Sequence, residues 1–465
     1  MMDFRKLSPQ DKRRLLVDLL TRKGLTDVHS LEHLLRLGRQ TSGLKDKSQF
    51  DPSKEVFLDP DIRPCSPWDE TLEPKAIFLT GATGYMGRFL LFELLKSFPS
   101  RVYCLIRASS AIDAKKRIED MMKSSLIWDP DFQHRIVPIP GNLDRPAFGL
   151  PPEKFDFLAR EIDWIYHAGA TVNFVYPYSA LKAPNVDATR EIIRLACQYR
   201  TKRLHYVSSM AVFDSLGYSG KPALEDLALQ HGDSLFIGYV QTKWASDSII
   251  SLAGTRGVPI SIHRPPFISC HSETGVCNTK DFVARWISGI TQLGCVSNIN
   301  IRMDLVPVDY LCKAIIHLSR SRTSIGKAFH YFLPQPFLSH QLVEWLTGYG
   351  YKLSVAPYDE WESGLLRTAA LGVDNALHPL LGFLAARVGE ENGRPLSIAD
   401  MYSSERRPRY DGKNVQFELQ NASIPCPSSE QLFRTYYDYL IRSGFLKPPG
   451  GAAGNPSRAH ARPSF

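Results

Sequence analysis

The sequence predicts an α/β protein built on a doubly wound parallel sheet, and three observations carry that expectation. Short apolar runs alternate with amphipathic segments from about residue 75 to residue 330. The runs are continuously apolar, as strands buried on both faces are, and do not alternate in a period of two. The first of them, "AIFLTG", passes straight into a glycine-rich turn and a helix in "GATGYMGRFLLFELL". An open sheet covered by helices on both sides accounts for all three.

Taken in order, residues 1–40 read as two short helices. In "SPQDKRRLLVDLLTRKG", Ser8 is the N-cap and Pro9 the first helical residue. Leu15, Leu16, Leu19 and Leu20 form a stripe, and Gly24 is the stop. "SLEHLLRLG" follows, with Leu31, Leu34 and Leu35 on one side. Residues 41–74 are polar and proline-rich and read as a linker. The expected strands are then "AIFLTG", "RVYCLIR", "RIVPIPG", "WIYHAG", "RLHYVSS", "ISIHRP" and "KAFHYFL", with helices at 88–97, 111–124, 185–200, 239–255 and 308–319. Residues 75–330 therefore read as one doubly wound domain. Residues 270–300 and 331–446 break the alternation and read as a smaller, mostly helical cap. The stretch 447–465, low in apolar content and rich in Gly and Pro, is expected to be disordered.

Composition narrows the function classes. At 465 residues, 43% hydrophobic and 22% charged, the chain reads as an ordinary globular protein. Its net charge of +8 fits an anionic ligand or acidic partner, or a solvated basic face. No basic run is interleaved with aromatics, so nucleic acid is not an expected partner. The N-terminus lacks an apolar signal core and no apolar run reaches membrane-spanning length, so no membrane is expected either. Eight scattered cysteines without a C-x-x-C pair read as reduced thiols of a cytoplasmic protein. Cys270, His271 and Cys277 match no common zinc spacing, and no metal is expected.

Gly81, Gly84 and Gly87 stand as G-x-x-G-x-x-G between the first strand and its helix. Three glycines there allow a tight turn, close approach of a pyrophosphate to a helix N-terminus, and close helix–strand packing. An NAD site usually has a carboxylate after the second strand to hold the ribose 2′-hydroxyl. This chain has Arg107 in "CLIRAS" and no acid nearby, which points to a 2′-phosphate and so to NADPH. Arg88 and Arg117 are candidate helpers; each could equally be a solvated surface charge.

A Y-x-x-x-K pair sets a phenol and an ammonium one helical turn apart, where the cation favours the phenolate and can reach the cofactor ribose. With 19 tyrosines a chance match is expected, and two pairs occur, Tyr178–Lys182 and Tyr239–Lys243. Position favours the second. "HYVSSMAVF" ends the fifth strand with Ser208 and Ser209, and "GYVQTKWASD" opens the next helix. Both elements converge on the nicotinamide end of a doubly wound fold. Ser209, Tyr239 and Lys243 are the candidate catalytic residues.

Together "TGATGYMG", "YHAGATVNFVYPYSAL", "NVDAT", "HYVSS", "GYVQTKW" and "DLVPVDYL" resemble the extended short-chain dehydrogenase/reductases, which have Rossmann sheets. More narrowly, they resemble the thioester reductase domains that end non-ribosomal peptide and polyketide assembly lines and carboxylic acid reductases. The likeness runs from about Val56 to about Leu384. It implies a cofactor site made of Gly81, Thr83, Gly84, Tyr85, Met86, Gly87, Arg88, Arg107, Arg117, Asn142, Leu143, Ala168, Gly169, Tyr239, Lys243, Pro265 and Phe267. This copy departs from the pattern at four places: Asn142 for an aspartate, Ala168 for an asparagine, and Pro266 and Ala188 each for a glycine.

The resemblance implies NADPH-dependent reductive release of an acyl chain from a carrier protein's phosphopantetheine arm, as an aldehyde or an alcohol. The basic residues Lys12, Arg13, Arg14, Arg22 and Lys23 would suit recruitment of an acidic acyl- or peptidyl-carrier protein in trans. Other readings stay open: a fatty acyl-CoA reductase, another extended reductase or epimerase, and a dinucleotide-sensing regulator without catalysis. Trp286, Trp345 and Trp361 make the cap aromatic, which suits an apolar acyl group or simply a core.

Overall fold

A computed structural model describes residues 50–69, 73–333 and 335–450. The two helices expected within 1–40, their basic residues, and the tail from 451 onward lie outside the described residues. Seven strands form one sheet: β1 Ala76–Thr80, β2 Arg101–Ile106, β3 Ile136–Pro140, β4 Trp164–His167, β5 Arg203–Val207, β6 Ile260–Arg264 and β7 Ala328–His330. Their order across the sheet is β7-β6-β5-β4-β1-β2-β3, every neighbouring pair parallel. The order reverses between β1 and β4, and that switch point opens a crevice at the strands' C-terminal ends. The expected doubly wound α/β fold is what the chain adopts.

Burial explains the continuously apolar strands. Within β1, Phe78 joins the core on one face of the sheet, while Ile77 and Leu79 join the core on the other. The main helices are α1 Tyr85–Ser97, α2 Ala111–Ser124, α3 Pro152–Glu161, α4 Ala188–Cys197, α5 Gly238–Thr255, α6 Phe282–Leu293 and α7 Val308–Arg320. No helix was expected at α3, although Pro152 in its first turn and the spacing of Phe155, Leu158 and Ala159 mark one. A one-turn π-helix, Ala183–Asp187, precedes α4. No described helix is long and apolar enough to cross a membrane.

Two features of the organisation carried no signal in the sequence. Where residues 50–69 of the expected linker are described, they pack on the body: Leu58 and Ile62 are buried. Arg256 donates to the carbonyls of Leu58, Asp59 and Ile62, and Glu55 pairs with Lys182 at 2.9 Å. A one-turn helix, Pro52–Glu55, opens this proline-rich stretch, and arginines that capture backbone carbonyls fix the rest. The cap also holds more strand than expected. Its short ladders join Cys295–Ser297 to Ser354–Ala356 and Arg387–Glu391 to Arg394–Ser397, and beside it Phe267–Ser269 pairs with Leu305–Pro307. Arg409–Tyr410 returns to pair with Pro222–Ala223, inside the β5–α5 connection.

Candidate active site

A cleft of about 960 Å³ runs over the C-terminal ends of the strands. The turn from β1 to α1 forms one wall, and its three glycines have different jobs. Gly81 has φ +80°, and a Cβ on it would lie 2.8 Å from the backbone of Ala168 and Gly169 at the end of β4. A Cβ on Gly87 would lie 1.9 Å from the Gly81 carbonyl oxygen. Those two let the turn close on itself and on β4. Gly84, the N-cap of α1, is exposed, and a Cβ there would meet only the Gly81 oxygen, at 3.1 Å. Its open side and the unpaired N–H groups of the first helical turn make a cradle that a side chain would fill. The cradle fits a pyrophosphate.

Thr83, Tyr85 and Met86 line the cleft beside it, and the Tyr85 hydroxyl is held against the carbonyls of Ser269 and Val276, at 2.7 and 2.9 Å. Arg88 does not belong here. It turns away across the start of α1 and donates to the Ser125 hydroxyl at 2.8 Å and to the Gly84 carbonyl at 3.2 Å. It stands outside the cleft lining, where its bond to Ser125 packs α1 against the end of α2.

Arg107 follows β2 and lines the cleft with Arg117, whose guanidinium donates to the Arg107 carbonyl. Gly141, at the end of β3, donates to the Ile106 carbonyl at 2.9 Å, which brings the loop that starts at Asn142 alongside the one that starts at Arg107. Asn142, Leu143 and Asp144 line the same cleft. Ala168 and Gly169 close the floor, where Gly169 donates to the Thr80 hydroxyl at 2.9 Å. Pro265 and Phe267 line it after β6.

The three candidate catalytic residues also line it. Ser209 ends the β5 turn and caps the 3-10 helix Met210–Phe213, accepting from the Ala211 N–H at 3.1 Å, so its own O–H is left to donate. Tyr239 and Lys243 sit one turn apart in α5, 8% and 5% exposed. The Lys243 ammonium donates to the Val207 carbonyl at 2.7 Å and to the Tyr206 hydroxyl at 3.3 Å. Of its three N–H groups, one remains for a ligand. Burial lowers the Lys243 pKa to about 8, against a smaller opposing pull from Asp247. Burial also pushes the Tyr239 phenol up, contrary to the expectation that the lysine would lower it. Desolvation of the phenolate is the cause.

The other Y-x-x-x-K pair lies elsewhere. Tyr178 packs on Phe50 at 4.7 Å between centroids, and Lys182 is held by Glu55. Neither lines the cleft.

Some supporting residues carried no sequence signal. Asp247, one turn beyond Lys243, forms a two-pronged pair with Arg264 at 2.9 Å and accepts from Ser208 at 2.5 Å, locking α5 to β5 and β6. Asn185, in the π-turn, receives the Thr171 N–H at 2.7 Å and donates to the Thr242 hydroxyl at 2.9 Å, tying the loop after β4 to α5. Asp214, Tyr402 and Arg407, distant in sequence, meet in the cleft wall. Trp286 and Trp361 are buried in the cap core, and Trp345 stacks on Phe433 at 4.9 Å. None of the three lines the cleft.

Comparison with known proteins places this geometry. A family model described as "Male sterility protein" matches residues 79–315. The crystal structure of the terminal R domain from the myxalamid PKS-NRPS biosynthetic pathway is 37% identical, with a TM-score of 0.77, over 86% of this chain and 98% of that one. A linear gramicidin synthase polypeptide of Brevibacillus parabrevis is 34% identical over 438 residues, 93% of this chain but 8% of that protein. L-2-aminoadipate reductase of Schizosaccharomyces pombe is 31% identical over 416 residues, 86% of this chain and 28% of that protein. The chain thus spans a minor part of these two relatives, while it covers nearly all of the isolated terminal domain. It belongs to the male sterility protein family, and within that family to the terminal reductase domains of peptide and polyketide synthetases.

Proposed function

We propose that this chain reduces the thioester of a carrier-tethered acyl or peptidyl group with NADPH and releases it as an aldehyde. Family membership makes it a nicotinamide-dependent oxidoreductase. One observation carries the finer reading: the cleft that the glycine cradle opens into is also lined by Ser209, Tyr239 and Lys243. Arg107 and Arg117 support the choice of NADPH, since both line that cleft beside the cradle and a 2′-phosphate would give their guanidinium groups an anionic partner.

The glycine cradle, Arg107, Arg117 and Lys243 would hold the cofactor, which would supply a hydride to the carbonyl carbon. Ser209 and Tyr239 donate hydrogen bonds to the carbonyl oxygen and stabilise the charge that grows there as the carbon becomes tetrahedral. Tyr239, kept protonated by burial, is the acid. Lys243 holds the end of β5 through Val207 and keeps one N–H for the ribose. When the tetrahedral carbon collapses, the C–S bond breaks, the sulfur leaves as thiolate and takes a proton, and the aldehyde remains. With a second NADPH as hydride source, the same groups can serve reduction of the aldehyde to the alcohol, with Tyr239 again giving the proton.

The carrier is met in trans in this proposal, through the basic stretch Lys12 to Lys23 that lies outside the described residues. Deletion of residues 1–40 tests that part; unchanged turnover and salt dependence with carrier-bound substrate would dispose of it. All eight cysteines are unpaired, which suits a reducing compartment and a cytoplasmic location.

The test of the whole is incubation with NADPH, a panel of acyl-loaded carriers and the matching acyl-CoA thioesters, with released aldehydes and alcohols read by mass. Aldehyde from the carriers, lost in Tyr239→Phe, is expected. Intact NADPH oxidation in Tyr239→Phe would overturn the catalytic assignment, and preferred turnover of acyl-CoA would favour a fatty acyl-CoA reductase.

A further inference from the structure

Beside Tyr239 the cleft is walled by aromatic rings from five separate places in the chain. Phe174 meets Tyr239 edge-on at 5.7 Å between centroids and lies 5.4 Å from Phe383. Phe383 meets Phe282 edge-on at 5.8 Å, and Phe282 stacks on Phe267 at 5.4 Å. Tyr402 closes the ring, 6.3 Å from Phe267 and 6.4 Å from Phe383. Phe174, Phe267, Phe282 and Tyr402 border the open cleft, with Phe383 behind them. At this wall the Tyr402 hydroxyl and Arg407 Nη1 both donate to Asp214, and the unpaired Arg407 Nε is buried. Two other cations line the cleft around the start of α6. Lys280 is exposed, and Arg285 donates to the carbonyls of Lys280 and Ala376 at 3.0 and 3.2 Å.

We infer that this wall seats the acyl group and selects acyl chains that end in an aromatic ring or a branched apolar group over chains that end in a carboxylate. The inference rests on the reading in which Tyr239 polarises the thioester carbonyl, since that fixes where the acyl chain starts. A ring placed there gains edge-to-face partners, each worth about two- to tenfold in affinity. A carboxylate seated among these rings finds Arg407 held by Asp214 with its free Nε buried, and must reach the start of α6 for Lys280 or Arg285 or be desolvated unpaired.

The probes are pantetheine thioesters of 3-phenylpropionate, 4-methylpentanoate and glutarate, together with the three matching thioethers, which cannot be reduced. Turnover is measured with NADPH, and thioether binding by calorimetry with NADPH present. Both readouts should favour phenylpropionyl over glutaryl by about tenfold or more. Phe282→Leu, which keeps apolar volume but removes the ring, should cut the phenylpropionyl preference by about fivefold while leaving NADPH affinity unchanged. Equal binding of the three thioethers, an unchanged preference in Phe282→Leu, or preferred turnover of the glutaryl thioester would overturn the inference; the last would move the acyl terminus to Lys280 and Arg285. Selective thioether binding without reduction of any thioester would instead sink the reductase reading and leave the pocket standing.

Discussion

Arg407 donates to Asp214 at 2.5 Å and so joins a residue late in the cap to the turn that begins at Ser209. The other Asp214 oxygen accepts from the Tyr402 hydroxyl at 2.5 Å, and Asp304 lies 3.9 Å from the Arg407 guanidinium. Since Asp214 ends the 3-10 helix that Ser209 caps, the cap tethers the Ser209 turn at its far end.

Removing one partner of this buried pair leaves the other charge uncompensated, at a cost of about 3–5 kcal/mol. Arg407→Met is therefore expected to lower both Tm and kcat. The double variant Asp214→Asn with Arg407→Met should regain much of the Tm but not the kcat, because the turn stays untethered. Thermal melts and steady-state rates check this; equal kcat in the double variant and the wild type would refute the tether.

Lys243 sets a basic limb. Its folded pKa of about 8 lies below the unfolded value of 10.5, so between those two pH values the folded chain holds fewer protons and stability rises with pH. Activity runs the other way. The ammonium is complete below pH 8, and kcat/KM for NADPH should fall as pH rises through it. Lys243→Arg, which stays charged, should flatten that limb. A profile unchanged by the substitution would assign the limb to another group.

The three arginines near the cofactor end should separate cleanly. Arg107→Ala and Arg117→Ala should each raise KM for NADPH, by about 1.5–3 kcal/mol in the stronger case, and leave KM for NADH near its wild-type value. Arg88→Ala should leave both constants alone and lower Tm, because Arg88 ties α1 to the end of α2 at Ser125. A shift of KM in Arg88→Ala would return it to the site.

Gly84 and Gly87 make the sharpest contrast. Gly87→Ala forces a Cβ to 1.9 Å from a backbone oxygen, so it should fail to fold or lose the turn. Gly84→Ala meets its neighbour at 3.1 Å and should fold, yet lose NADPH affinity because the methyl occupies the cradle. Far-ultraviolet circular dichroism and nucleotide titration distinguish the two.

The strands were legible because each is apolar throughout, and the glycine turn because its glycines sit where strand period gives way to helix period. That Ser209, Tyr239 and Lys243 would share one cleft was legible through the same logic of position along a doubly wound fold. The direction of Arg88 was not legible, because sequence distance from Gly84 does not tell on which side of α1 a guanidinium leaves the helix. For Tyr239, adjacency to a lysine is visible in the sequence, whereas the burial that pushes its phenol up is not.

Local chemistry, then, was decided by the amino-acid order alone: alternating apolar runs, a glycine turn that only small residues can make, a phenol and an amine one helical turn apart, and an arginine where a carboxylate would hold a ribose. Tertiary structure alone decided what comes from far away in the chain. Arg407 reaching Asp214, Asn185 pinning the loop at Thr171, and Phe174, Phe267, Phe282 and Tyr402 meeting beside Tyr239 all depend on segments brought together by the collapse of two buried faces onto one sheet. Their spacing in sequence carries no period, so contact geometry is the only place where that information exists.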